Sequence, residues 1–201
     1  MNATSPELRN FPLRRAMAIV AIANFAYFWI EFTVALSIGS VSLFADSVDF
    51  VEDAAVNLLI LVALGWSARS RARLGMALAA ILLIPAIATI WTAWNKFALP
   101  VAPEPVALSV TGLGALAVNL GCAFLLARYR HHSGSLTKAA FLSARNDTIA
   151  NVAIIGAGLV TGLLWRSAWP DLIVGLGIAA MNADAARAVW TAARDEHRAA
   201  A

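Results

Sequence analysis

Apolar residues run along the chain in six long stretches, each about as long as the roughly 20 residues a helix needs to cross a bilayer, separated by short polar, basic or proline-rich breaks. The first stretch, Arg15–Ser37, is interrupted by Asn24 and Glu31, and Gly39-Ser40 then makes a very tight turn. The second, Ser42–Ala68, is unusual in holding Asp46, Asp49, Glu52 and Asp53. Arg69, Arg71 and Arg73 form a basic connection to the third, Leu74–Trp94, which contains Pro85. Leu99–Pro105 reads LPVAPEP and predicts an extended loop, because proline lacks the amide hydrogen a helix interior uses. The fourth stretch is Val106–Ala127, followed by a basic connection from Arg128 with paired histidines. A fifth, Thr137–Trp165, carries Ser143, Arg145, Asn146, Asp147 and Asn151, and Trp169-Pro170-Asp171 opens a sixth that ends near Trp190.

The pattern predicts an all-α, polytopic membrane protein, a bundle of six transmembrane helices over 15–190. Short segments at 1–14 and 191–201 lie outside it. Composition agrees: 61% of the 201 residues are hydrophobic and 13% are charged, against about 25% charged in a soluble domain. Such a length leaves no room for a separate soluble domain. The paired arginines at the start of the first stretch resemble a signal-peptide start, but no A-x-A cleavage site leading into a soluble mature chain follows, and the stretch is kept as a helix. The single cysteine, Cys122, excludes a disulfide framework and leaves the redox compartment unread.

Charge distribution sets the expected orientation. Of the 15 Lys and Arg, 12 fall on the N-terminal segment, the second-to-third and fourth-to-fifth connections and the C-terminus, whereas Lys96 and Arg166 lie on the opposite side and Arg145 lies within a stretch. By the positive-inside rule both termini are cytoplasmic. The net charge of +3 is then a topology signal, and nucleic-acid binding is not expected.

The acids are the chemical signal. An ionised carboxylate at a span centre costs about 2.5–3.5 kcal/mol on insertion scales, so Glu31, Asp46, Asp49, Glu52, Asp53 and Asp147 together need compensation. At about 100° per residue, Asp46, Asp49 and Asp53 fall at about 0°, 300° and 340°, one narrow stripe, with Glu52 on its flank at about 240°. Ser143 and Asp147 have the same four-residue relation as Asp49 and Asp53, with Asn146 and Asn151 near that face. Two such half-sites facing each other make a four-ligand oxygen site for a divalent cation. The plainer reading has the acids paired with arginine or protonated in the bundle core. Arg145 alone lies within a stretch, about 200° from Asp147 on its own helix, and cannot neutralise them all. Asn24, Asn57 and Asn119 read as interhelical hydrogen-bond formers rather than ligands.

At these residues the chain resembles the cation diffusion facilitator family. Gly39-Ser-Val-Ser-Leu-Phe-Ala-Asp-Ser-Val-Asp-Phe-Val-Glu-Asp53 is similar to the family's G-S-x-x-L-x-A-D-x-x-[HD]-x-x-x-D, and Phe141-Leu-Ser-Ala-Arg-Asn-Asp147 to F-L-H-x-x-x-D. Val118–Leu126, His132–Leu136 and Trp169-Pro-Asp171 also look like family segments, so the resemblance covers the whole chain in order. It implies a six-helix antiporter, not an enzyme, that exchanges a divalent metal ion (zinc, cobalt, cadmium, manganese or iron) for protons by alternating access and holds no permanent cofactor. By position Asp49, Asp53 and Asp147 take three metal-ligand places. Ser143 takes the fourth, where the family usually has His or Asp, leaving a site of three carboxylates and no imidazole. An all-oxygen site suits manganese, magnesium or ferrous iron better than zinc or cadmium. Asp46, Glu52, Asn146 and Asn151 are candidates for outer contacts or entry, and Arg145 either snorkels to the interface or pairs with Glu52.

Family members typically continue into a cytoplasmic metal-binding domain after the sixth helix, whereas about 11 residues follow Trp190 here. The expected partners are the metal ion, protons, the lipid bilayer and a second copy through membrane helices, for which Gly112-Leu-Gly-Ala and the glycines at 156, 158, 175 and 177 offer close-packing surfaces that serve equally well within one chain. The arginine-rich, alanine-rich composition points to a bacterial cytoplasmic membrane. Two rivals remain: a non-transporting, degenerate member acting as a metal-binding or partner subunit, and an intramembrane aspartyl protease. The latter uses Gly-x-Gly-Asp, a tetrapeptide not found in the chain.

Overall fold

A computed structural model describes residues 6–63, 68–128 and 135–199. Six helices follow one another: α1 (Pro6–Ile38), α2 (Val41–Ala63), α3 (Ala68–Ala98), α4 (Pro105–Ala127), α5 (Ser135–Leu163) and α6 (Trp169–Ala199), with no strand among the described residues. Three segments, Pro12–Ile38, Pro105–Ala127 and Asn146–Leu163, are long and apolar enough to cross a membrane. α2 has the length, but its four acids break the apolar run.

The helices outlast the apolar stretches. α1 starts nine residues before Arg15, α6 continues nine residues past Trp190, and Arg69, Arg71 and Arg73, read as a connection, lie inside α3. Backbone hydrogen bonding does not stop where apolar side chains do: charge marks where a helix leaves lipid, and capping marks where it ends. The histidine-containing connection at 129–134 and the side chains of Ser143 and Arg145 lie outside the described residues.

Both predicted breaks are present. Gly39 has φ +61, the left-handed value that only glycine adopts freely, and the Ser40 amide donates to the Ala35 carbonyl at 2.9 Å, closing α1 as a Schellman turn. Ser40 is at the same time the N-cap of α2, its Oγ accepting from the Leu43 amide at 3.1 Å. Leu99–Glu104 is non-helical, and the Glu104 carboxylate caps α4 through the Val106 and Ala107 amides.

Among the described residues α3 packs against α2 and α6, whereas α1, α2, α4 and α5 form a group of their own. Inside this four-helix group the core is layered. One apolar plug is Leu13, Met17, Val20, Cys122 and Leu126, and the other centres on Ala35, Leu43, Leu108 and Ile154. Between the plugs lie the buried polar residues Asn24, Glu31, Asp46, Asp53, Asn57, Asn119, Asp147 and Asn151. Ile22, Phe25, Trp29, Phe124 and Val152 are exposed, as lipid-facing positions are.

α6 reaches the bundle through Gly175, where an added Cβ falls 2.7 Å from the Val41 carbonyl carbon and 2.8 Å from the Ser42 amide nitrogen. Both are backbone atoms at the start of α2, which cannot rotate away. Gly175→Ala is therefore expected to destabilise the protein by about 1–3 kcal/mol, the usual range for overpacking. Thermal unfolding in detergent checks this, and an unchanged midpoint counts against the close approach. Gly112 and Gly158 likewise pack inside the bundle, while Gly156 and Gly177 meet nothing.

Candidate metal centre

Two carboxylate groupings occupy the polar layer. In the first, Asp53 of α2 and Asp147 of α5 face each other closely enough for their carboxyls to hydrogen-bond. Both are buried, at 7% and 9% exposure. Asp49, one turn from Asp53, is half-buried, with Asp147, Asp46, Glu52 and Asp53 as its acidic neighbours. The i, i+4 spacing keeps Asp49 and Asp53 on one side of α2, and it is Asp53 that meets α5. The set is loose, however: among the described residues no three His, Cys, Asp or Glu side chains converge tightly enough to hold a metal ion.

Asn57, a turn beyond Asp53, donates to the Asp53 carbonyl at 2.8 Å, so it braces its own helix and not a neighbour, contrary to expectation. Asn146 is exposed and so stands apart from the buried Asp147 face, and Glu52 is half-buried.

The second grouping was not anticipated as a unit. Glu31 of α1 lies against Asp46 of α2, and both are fully enclosed. The stripe angle had placed Asp46 with Asp49 and Asp53. Instead its Oδ2 accepts from Asn151 Nδ2 of α5 at 2.5 Å, and Asn151 Oδ1 accepts from Asn119 Nδ2 of α4 at 3.0 Å. Asn119 is thus an interhelical hydrogen-bond former, as read from sequence, and Asn24 reaches α4 only through a 3.8 Å contact from Cys122. About 10 Å of helix, seven residues at about 1.5 Å each, separates Asp46 from Asp53.

At the N-terminal start of α2 a further acid, Asp171 of α6, is fully buried and its carboxylate accepts four hydrogen bonds. The donors are Ser40 Oγ at 2.6 Å, Ser42 Oγ at 2.6 Å, and the Val41 and Ser42 amides at 2.9 and 3.1 Å. A negative charge at a helix N-terminus is favoured by its unpaired amides and by the helix dipole. Lys96 of α3 donates to the Gly39 carbonyl and stands 3.9 Å from Asp171. Three helix ends therefore meet at one carboxylate. Sequence supplied only the Gly-Ser and Trp-Pro-Asp motifs, 130 residues apart, without their pairing.

The cation efflux transmembrane domain is the family whose model matches this chain, over residues 17–193. Among curated proteins none matches significantly.

Proposed function

This chain belongs to the cation efflux family, whose members transport metal cations, and we propose that it exchanges a divalent metal ion for protons across the membrane. The observation that carries the reading is the approach of Asp53 to Asp147 across α2 and α5 with Asp49 alongside. Three acids so placed hold either protons or a dication, and a cation entering between them draws Asp49 toward the pair as it displaces protons. The substrate is the metal ion itself, and the family calls for no resident cofactor.

In the topology we propose, all six helices span the bilayer with both termini cytoplasmic, from the 12-to-2 distribution of bases. Trp91, Trp94, Trp165 and Trp169, all exposed, ring the opposite end, which supports an aromatic belt there. Alternating access then moves the α3–α6 pair against the four-helix group that carries the acids.

The test is purified protein in liposomes under a pH gradient, offered zinc, cobalt, manganese, iron and cadmium one at a time. Metal-dependent proton flux with at least one is expected. Flux with none of them overturns transport, and metal binding retained without flux gives the non-transporting alternative instead.

Ser143 at the fourth position leaves the site without nitrogen. Ser143→His is expected to move selectivity toward zinc by about tenfold relative to manganese, since imidazole suits zinc and carboxylate suits manganese. Competition uptake of the two ions measures it, and an unmoved ratio removes Ser143 from the site.

A further inference from the structure

Glu31 sits in the middle of the polar layer at 0% exposure, and neither of its oxygens meets a donor. Asp46, equally enclosed, has one oxygen supplied by Asn151 and the other, Oδ1, without a donor. The asparagine relay fixes the chemistry of the satisfied oxygen. Asn119 donates to the Asn151 carbonyl oxygen, which turns the Asn151 amine toward Asp46 and makes Asp46 an acceptor.

Two adjacent carboxylates with three unsupplied oxygens in a sealed, low-dielectric layer cannot both be ionised. Among the described residues neither forms an ion pair with Lys, Arg or His. A hydrogen on Glu31 aimed at Asp46 Oδ1 meets the need of both side chains at once, leaving a single negative charge shared between Glu31 and Asp46 and braced by Asn151. We propose that Glu31 and Asp46 form a proton-binding site separate from the metal carboxylates, with the proton carried on Glu31 and released when the metal site fills.

Other groups bear on this pair without replacing it. Asp49 and Asp53 of α2 and Asp147 of α5 are near enough for their charges to bear on the pair. Tyr27, a turn before Glu31, has its hydroxyl committed to the Thr111 carbonyl at 2.7 Å. α4 brings the uncharged Asn119 and Cys122, α6 brings Asn182 to the Ala45 carbonyl at 3.5 Å, and the α3 cation Lys96 is engaged at Gly39. Among the described residues the charges that bear on the pair are thus all acidic. A dication among Asp49, Asp53 and Asp147 offsets two of the three negative charges of these acids once ionised, which weakens the field holding the proton on Glu31 and favours its loss.

The site's existence stands on the hydrogen-bond geometry, and only its role rests on the transport reading, so the test has two arms. The first is infrared spectroscopy of metal-free protein, following the carbonyl stretch of a buried protonated carboxylic acid. The parent is expected to show a Glu31 component beside that of the Asp53–Asp147 pair; Glu31→Gln is expected to remove the Glu31 component, and Asp53→Asn to leave it in place. Glutamine keeps the shape and offers an amide hydrogen to the same Asp46 oxygen. A band unchanged by Glu31→Gln overturns the proposal. Should that variant fail to fold, Asp46→Asn carries the arm: the band must shift or vanish, and an unmoved band overturns the proposal. The second arm counts protons released on binding manganese or zinc in weak buffer. Glu31→Gln is expected to release about one proton fewer per metal, with affinity within about threefold of the parent. An unchanged count overturns the release step. Absence of metal-dependent release in the parent removes the transport reading while the infrared arm still decides the pair.

Discussion

Asp53→Asn and Asp147→Asn are each expected to reduce metal-driven proton flux by about 100-fold or more, and to raise the thermal stability of the metal-free protein. Both effects follow from one contact. The two buried carboxyls approach within hydrogen-bonding reach across α2 and α5. Losing even an outer partner of a metal ligand costs about 10–100-fold in affinity or activity, so loss of a direct ligand lies at or beyond the upper end. Without metal, two buried carboxyls this close can hydrogen-bond only by taking up a proton, which acids ionised in the unfolded chain must bind on folding at neutral pH. Replacing one with a neutral amide of similar volume removes that need, by about 1–3 kcal/mol on the scale of other buried charge replacements. The double variant is expected to transport no worse than either single one, because members of one site act as a unit. Liposome flux and thermal unfolding, run on the same three variants, measure all of this. Flux within tenfold of the parent, or a fall in stability, would show that the contact does not form the metal site.

Asp171→Ala acts in the opposite sense. It strips the shared acceptor from two serine hydroxyls and two backbone amides, and removes the carboxylate beside the buried Lys96. Breaking a buried charged partner typically costs about 3–5 kcal/mol, because what remains is left unsatisfied. A loss of this size is expected in equilibrium unfolding in mixed micelles. Ser42→Ala, which removes one of the four donors, should cost about a quarter to a half as much. A loss below about 1 kcal/mol for Asp171→Ala would mean that the three helix ends are held together by apolar packing of Val41, Ala93, Ala168 and Leu172 instead.

Much of the fold was legible because a bilayer leaves a chain few choices. Six apolar stretches, a Gly-Ser turn and a proline-rich loop translate directly into six helices and two breaks, and the i, i+4 spacing marks one side of α2, from which Asp53 meets Asp147 of α5. What periodicity reads is one helix at a time. Asp46 lies on the same stripe as Asp53, yet it belongs with Glu31, because which neighbour a residue meets depends on height along the bundle as well as on angle. Glu31 lies toward the end of its stretch, Arg15–Ser37. Because α2 doubles straight back, that position is opposite Asp46 and fully enclosed. The Asp171 junction was hidden for another reason: its donors are largely backbone amides exposed by a helix start, and no side-chain pattern announces them.

The left-handed turn at Gly39 has a consequence for how this chain tolerates change in length. Since Ser40 ends one helix and begins the next with no slack between them, the turn acts as the zero mark of a ruler laid along α2. A residue gained or lost there rotates everything beyond it by about 100° and slides it by about 1.5 Å relative to α1. The error is read twice, first where Asp46 should meet Glu31 and again where Asp53 should meet Asp147. Substitutions can alter one grouping and spare the other, but a change in length at this point cannot.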